Sequence, residues 1–456
     1  MAMSALETDE PVSGQRTSRT GMFWRLIILV FGLMGARLAG AGFGFLSQIL
    51  LARSFPAAEV GVAFLAMSIT TFVSLLITCG YQMLGLTYLA RYRAMERPSL
   101  VEGFLAVARR DMIVAAAVVI GVAVLVYFFA PVSSDIAKAA LFGAIAAPPL
   151  AAIRLNNSAA NAQRRFALSY VPDFVGRSGL LLLFIGAIVF LGIERRIDYV
   201  LIGLVVITFA VAIAQAIVMG RDNVWTRAWA KRPRDLARFF RHRAVAMLLV
   251  SIVAGASADL VVMLGGLFLP TADVAILGVA VRLAALVGFL SAASQPFVLR
   301  DLATAMSQAR SNDVNSLLLR MNIAGLSIMA VAIAGFALLG PFILSIYGHE
   351  YAAAYWPLLL FLVGQMFRTS SGMNSELLAL GGHQVKSASL CLCAVIVLAI
   401  LAAVLTPLWG VVGLAVASVG AEMFWAAGLA YLTQKLEGRR GDIVGLLMHR
   451  KSLTGA

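Results

Sequence analysis

The sequence predicts an all-α, polytopic membrane protein with 12 transmembrane helices. They form two six-helix halves, related as parallel repeats, around a central cavity. Three observations carry this. Mean hydropathy is +0.93 over 456 residues, with 61% hydrophobic and only 13% charged residues, which excludes a soluble globular chain. Lys and Arg collect in alternate loops. A loop-and-arginine pattern recurs at one fixed offset in the two parts of the chain.

The apolar runs place helices at 23–50, 60–84, 111–130, 137–160, 168–191, 199–220, 244–268, 274–299, 318–340, 352–378, 386–406 and 409–433. With this division 26 of the 36 Lys and Arg fall in loops or termini on one side, 4 on the other (Arg53, Lys138, Arg195, Arg196) and 6 within helices. The positive-inside bias then sets both termini in the cytoplasm. Residues 1–22 form a polar, acid-bearing tail without a signal-peptide layout, so the first run is expected to stay as an anchor. Residues 434–456 form a second cytoplasmic tail.

Between the halves, 23–220 and 244–433, lies the most basic stretch, Arg221–Arg243, with eight Lys and Arg against two Asp. Trp225, Trp229, Leu236, Phe239 and Phe240 interleave with its charges, as in a helix lying in the headgroup layer. Topology already accounts for a net charge of +14, so nucleic acid is not expected as a partner.

The repeat is read from two loops. Phe55-Pro56-Ala57-Ala58-Glu59-Val60 follows the first helix, and Leu269-Pro270-Thr271-Ala272-Asp273-Val274 follows the seventh; 270 − 56 = 214. The same offset carries Arg154 onto Arg368, each toward the inner end of the fourth helix of its half. Six helices per half give both halves the same orientation, a parallel-repeat design whose substrate site lies between them. Pro148-Pro149, Pro172, Pro296 and Pro357 fall within expected helices. Most read as packing kinks, with the Pro-Pro pair the one of functional interest. Gly40 and Gly44 read as ordinary helix packing.

Arg37, Arg154, Arg177, Arg282 and Arg368 lie deep in apolar runs. Each costs roughly 2.5–3.5 kcal/mol at the bilayer centre unless solvated or paired. Asp173 and Arg177, four apart, read as a structural pair. The other four have no acid at helical spacing, so an interhelical salt bridge and a substrate contact stand about equal for each alone. As a set, Arg37, Arg154, Arg282 and Arg368 favour a cationic cavity, with Arg154 and Arg368 on opposite walls. Forked guanidinium donors suit phosphate, so a diphosphate headgroup is a natural guest. Asp259 and Glu422 are candidates either for coupling a cation (Na+ or H+) or for holding the arginines in place.

Cys79, Cys391 and Cys393 lie in apolar runs with no metal-like spacing, and the four His are scattered. No GxSxG, P-loop or HExxH occurs, so no enzyme, resident metal or cofactor is expected.

Several stretches resemble the oligosaccharide-lipid flippases and polysaccharide transporters of the multidrug/oligosaccharidyl-lipid/polysaccharide (MOP) exporter superfamily. Gly40-AGFGFLSQILLAR-Ser54 with FPAAEVGVAFLA is similar to that family's first two helices. Leu377-LALGGHQVKSASL-Cys391 and, after Pro407, LWGVVGLAVAS are similar to its eleventh-helix region and the turn into the twelfth. The resemblance implies alternating access. The cargo would be an undecaprenyl-diphosphate-linked glycan, moved to the outer leaflet of a bacterial inner membrane. Membrane lipids and polysaccharide polymerase or export proteins would be its partners. Arg37 and Arg53 sit where related lipid-precursor flippases place arginines. Leu38 stands where some of them carry an acid, which favours an O-antigen or exopolysaccharide repeat unit over a peptidoglycan precursor. The alternatives are a multidrug or cation antiporter of the same superfamily, and a non-transporting scaffold of a polysaccharide-synthesis complex.

Overall fold

The structure, a computed structural model, describes residues 19–131, 133–220, 234–292, 311–438, 440–443 and 445; among them there is no β-strand. Helix α1 is Arg19–Ser54, and Pro56, with φ −56° and ψ 145°, turns the chain into α2, Ala57–Ile77. The second pass bends at Gly80, whose φ of +82° only glycine adopts cheaply, before α3, Tyr81–Ala94. Helix α4, Pro98–Phe129, starts on a proline whose missing N–H is no loss in a first turn. Ser133 caps α5, Ser134–Ala162, its Oγ accepting from the Ile136 N–H at 3.4 Å.

Helix α6, Phe166–Tyr170, a π-helical turn, Val171–Arg177, and α7, Ser178–Phe190, make one pass. Pro172, which cannot donate to an i−4 carbonyl, sits inside that widened turn. Helix α8, Ile197–Met219, completes the first half.

In the second half, α9, Arg234–Gly255, and α10, Ser257–Phe268, form one pass broken at Ala256. Helix α11 is Thr271–Ala292 and α12 is Ser311–Ser345. A 3₁₀ turn, His349–Ala354, leads into α13, Tyr355–Ser370, and a break at Gly372 separates it from α14, Asn374–Leu380. Helix α15, Gln384–Glu437, runs 54 residues and reverses at Gly410 (φ 58°, ψ −135°), giving two passes. Among the described residues eight helices are each long and apolar enough to cross a membrane. α15 provides two passes, and α1, α9–α10 and α13–α14 bring the total to the expected twelve.

Several expectations need correction. The connector is not a surface helix throughout: α9 begins at Arg234, ten residues before the expected start, and Phe240 is fully buried against Tyr88, Tyr92 and Phe104. Arg241 forks onto Asp111 at 2.6 and 2.8 Å, and Asp111 also accepts from the Tyr81 hydroxyl at 2.7 Å. An aromatic cluster, each ring meeting the next edge-on, outweighs the headgroup layer for this part of the connector. Trp225, Trp229 and Pro296 lie outside the described residues, as does the side chain of Leu236.

Pro357 falls in the first turn of α13, where it breaks no interior bond, and Pro148-Pro149 sit within a continuous α5. Gly40 permits α1 to approach the π turn, since an added Cβ would lie 2.4 Å from the Phe174 carbonyl oxygen, whereas Gly44 faces open space. Just past α15 the described residues 440–443 are docked on the second half. Gly441 N–H donates to Asn374 Oδ1 at 2.7 Å, the Gly441 carbonyl accepts from Asn322, and Asp442 is buried against Arg440.

The outer surface is that of a bilayer-embedded protein. Val114, Val118, Val122 and Leu125 of α4 and Val331, Leu338 and Phe342 of α12 are exposed apolar residues at helical spacing, while α2 is largely buried. The main core runs across the seam between the halves, joining Val60, Phe64 and Leu65 to Val274, Leu277 and Val281.

The seam has a register. Gly61 meets Ala275, Phe64 meets Gly278 and Ser68 meets Arg282, and each pair differs by 214. Residues related by a twofold along the membrane normal touch only if they lie beside it, so α2 and α11 flank that axis. The offset read from two loops is thus the register of an interface. At the end of the seam that the charge bias places outside, the halves are tied. Arg53 donates to the carbonyls of Ile346 (2.6 Å) and Ser345 (3.3 Å) at the C-terminus of α12, and Phe45 meets Tyr347 edge-on at 5.7 Å.

Candidate functional site

Half-way down the seam, α2 presents Phe64, Ser68 and Thr71 on one face. Arg282 comes across from α11 and lays its guanidinium over the Phe64 ring, 4.1 Å from the centroid. Its Nη2 donates to the Phe64 carbonyl (3.3 Å) and to Ser68 Oγ (3.4 Å), while Nη1 is buried with no hydrogen-bond partner. Asp259, at the start of α10, lies near enough to Ser68 and Arg282 for both to act on its carboxylate.

Arg154 reaches the same face of α2 from α5, its Nη1 donating to the Thr71 carbonyl at 3.2 Å. The charges of Asp173, Arg177 and Asp259 all act on it. Asp173 and Arg177 pair within the π turn, Nε to Oδ1 at 3.4 Å. That pair was expected to be structural; it also faces a wider network, since Arg177 and Arg282 both act on Asp259.

Five groups thus share one region: Arg154, Arg177 and Arg282 against Asp173 and Asp259, a net charge of +1. All three arginines and Asp259 are half-buried. The cost of a guanidinium at this depth is met in part by the acids and carbonyls. The unfilled donors of Arg282 remain, and an anion is the group that completes them.

Arg368 does not join this set. It forks onto Glu422 of α15, Nη2 to Oε1 at 2.7 Å and Nε to Oε2 at 3.1 Å, and lies 5.4 Å from the Trp425 ring centroid. Arg154 and Arg368 therefore occupy equivalent positions in their halves but serve separate networks. Glu422 is here a charge partner. Arg37 lies on α1, and its side chain is outside the described residues. Among the described residues no group of three or more His, Cys, Asp or Glu could hold a metal ion. Sequence reasoning passed over Phe64, Ser68, Thr71 and Trp425. Only Ser68 had left a signal, since the 214-residue offset takes it onto Arg282.

No protein-family model and no curated protein sequence matches the chain. Solved structures do. The inward-facing conformation of a multidrug resistance MATE family transporter of the MOP superfamily superposes with a TM-score of 0.68 at 11% identity, over 87% of this chain and 95% of that one. The lipid II flippase MurJ, in an inward closed conformation, gives 0.66 at 16% identity, over 88% and 87%. A MOP superfamily transporter from Pyrococcus furiosus, described as having a binding pocket of reverse polarity, gives 0.53 at 14% identity, over 91% and 95%. The chain has the fold of the MOP superfamily transporters.

Proposed function

We propose that the protein is an alternating-access transporter that moves a lipid-diphosphate-linked oligosaccharide, an O-antigen or exopolysaccharide repeat unit, across a bacterial inner membrane. In this reading the units 23–220 and 244–433 rock about the α2–α11 seam, and both termini are cytoplasmic. Undecaprenyl diphosphate is the lipid carrier, and polysaccharide polymerase or export proteins take the product. The observation that carries the reading is the excess of guanidinium over carboxylate on the seam, with the buried Nη1 of Arg282 left without a partner. A diphosphate is polyanionic and takes forked donors, so Arg154 and Arg282 are assigned to its phosphates. MurJ, a lipid II flippase by its description, shares the fold, which supports a lipid-linked cargo.

The multidrug or cation antiporter reading rests on the MATE likeness. An apolar cation placed ~4 Å from one uncompensated guanidinium is repelled by about 4 kcal/mol at an effective dielectric of 20, so the sign of the cluster separates the two. Asp259 is the group on which such a cargo or a coupling cation would depend. A scaffold needs none of these charges.

The test is complementation of a strain lacking its lipid-glycan flippase. Arg154→Gln and Arg282→Gln should each abolish glycan export at normal membrane abundance, and the Lys variants should retain part of it. Full export by both Gln variants removes these residues from the site and favours the scaffold. Loss of drug resistance instead of glycan export favours the antiporter.

A further inference from the structure

The Arg368–Glu422 pair is the strongest polar feature that the proposed diphosphate site does not use. Glu422 and Trp425 are three residues apart, so they share one face of α15. That face packs on α13 at Gly364, where a Cβ would make ordinary contact, 3.8 Å from Glu422 Cγ and from Val419. Arg368, one turn further along α13, spends Nε and Nη2 on Glu422, leaving Nη1 uncommitted among the described residues. The indole Nε1–H of Trp425 is buried and has no hydrogen-bond partner. Gln365, on the same face as Arg368, directs its side chain toward Gly288 of α11, the helix that carries Arg282 six residues earlier, about 9 Å away along its axis. Arg368, like Arg282, is half-buried.

The charge balance separates this cluster from the other. The seam network carries net +1; the Arg368–Glu422 pair carries none, and the groups around it are an amide, an indole and an unfilled guanidinium edge. A second diphosphate would gain little from a guanidinium already neutralised. Neutral hydroxyl groups suit it well. A carboxylate and a guanidinium side by side accept from and donate to neighbouring hydroxyls, an amide does both, and an indole offers an apolar face for ring C–H groups with one N–H at its edge.

We propose that Gln365, Arg368, Glu422 and Trp425 form a sugar subsite in the second half that holds the first sugar or sugars of the cargo, while the seam arginines hold the diphosphate. The proposal rests on the lipid-linked-glycan reading and adds a division of labour to it. Specificity for the glycan then resides in the second half, and affinity for the carrier at the seam.

The test uses full-length protein in lipid nanodiscs and two probes: undecaprenyl diphosphate without sugar, and the pool of lipid-linked glycans extracted from the membranes of the cells that make this protein. Trp425→Phe removes the N–H and shrinks the indole to a single ring, and should weaken binding of the glycan-bearing pool about 3–10-fold; Trp425→Leu, which removes the aromatic face altogether, should weaken it more than 10-fold. Both should bind sugar-free undecaprenyl diphosphate within twofold of wild type, which also shows that they are folded. Glycan-pool binding unchanged in both variants overturns the subsite, as does an equal loss for both probes in a protein that elutes as wild type. If wild-type protein binds neither probe, the lipid-linked-glycan reading itself fails, a result distinct from failure of the subsite.

Discussion

A single methyl group tests the seam. At Gly61 of α2 an added Cβ would lie 1.7 Å from the Thr271 carbonyl oxygen and 2.7 Å from its carbon, where real Cβ contacts essentially never fall below 3.0 Å. Gly61→Ala must therefore move α2 from α11 by at least 3.0 − 1.7 = 1.3 Å, and the obstacle is backbone, which cannot rotate away. Overpacking of this kind costs about 1–3 kcal/mol, and a backbone obstacle puts it near the upper end. Ser68 lies seven residues further along the same helix, about 10 Å away, and its bond to Arg282 is already at 3.4 Å. The separation should thus weaken the site as well as the fold. Gly278→Ala is the comparison: its Cβ would lie 2.4 Å from Phe64 Cδ2 and 3.0 Å from Arg282 Nη1, side-chain atoms that can give more than a backbone carbonyl, so the cost should fall toward the lower end of that range. Thermal unfolding of detergent-solubilised protein, followed by tryptophan fluorescence, ranks the two. Gly61→Ala should melt well below Gly278→Ala, and both below wild type. A Gly61→Ala protein as stable as wild type, or more stable than Gly278→Ala, refutes the close approach of α2 and α11 and the axis placed between them.

Arg53→Gln should open the outer end of the seam. Two charge-assisted bonds to the last carbonyls of α12 hold it, worth about 1.5–3 kcal/mol each before solvent screening and roughly half of that at this exposed position. The balance between outward-closed and outward-open forms should shift by about 10–150-fold, read as faster labelling of a cysteine placed at Tyr347; unchanged labelling contradicts the latch. Phe240→Ala should destabilise the protein by about 3–5 kcal/mol, since the ring is fully buried. Arg241→Ala should cost only about 0.5–1 kcal/mol, because that guanidinium is half exposed. Thermal unfolding of the two variants checks the order, and the reverse order would mean that the connector is held by charge.

Much of the fold was legible because bilayer physics writes it in composition. Apolar length gave the passes. The 214-residue offset was visible in Pro56 and Pro270, and Ser68 with Arg282 realises it as a contact. The reversal at Gly410 was legible as the turn after Pro407, but the breaks at Gly80, Ala256 and Gly372 were not, since hydropathy averages over a window longer than a kink. Phe240 was misplaced because aromatic residues among basic ones fit both a headgroup layer and a docked helix, and only tertiary packing against Phe104 and Tyr88 decides. At the site, the arginines were conspicuous by their cost. Their partners were not, because Glu422 lies 54 residues from Arg368 and the Thr71 carbonyl 83 residues from Arg154, and no local spacing encodes such meetings.

A leaflet assay tests most directly whether the seam arginines carry the phosphates across. Purified protein is placed in proteoliposomes with undecaprenyl diphosphate bearing a short fluorescent glycan, and dithionite added outside bleaches whatever has reached the outer leaflet. Wild type should expose the inner-leaflet pool at a protein-dependent rate, and Arg154→Gln with Arg282→Gln together should bring the rate to that of empty liposomes. Equal rates for wild type and the double variant would show that the seam guanidiniums do not carry the phosphates across.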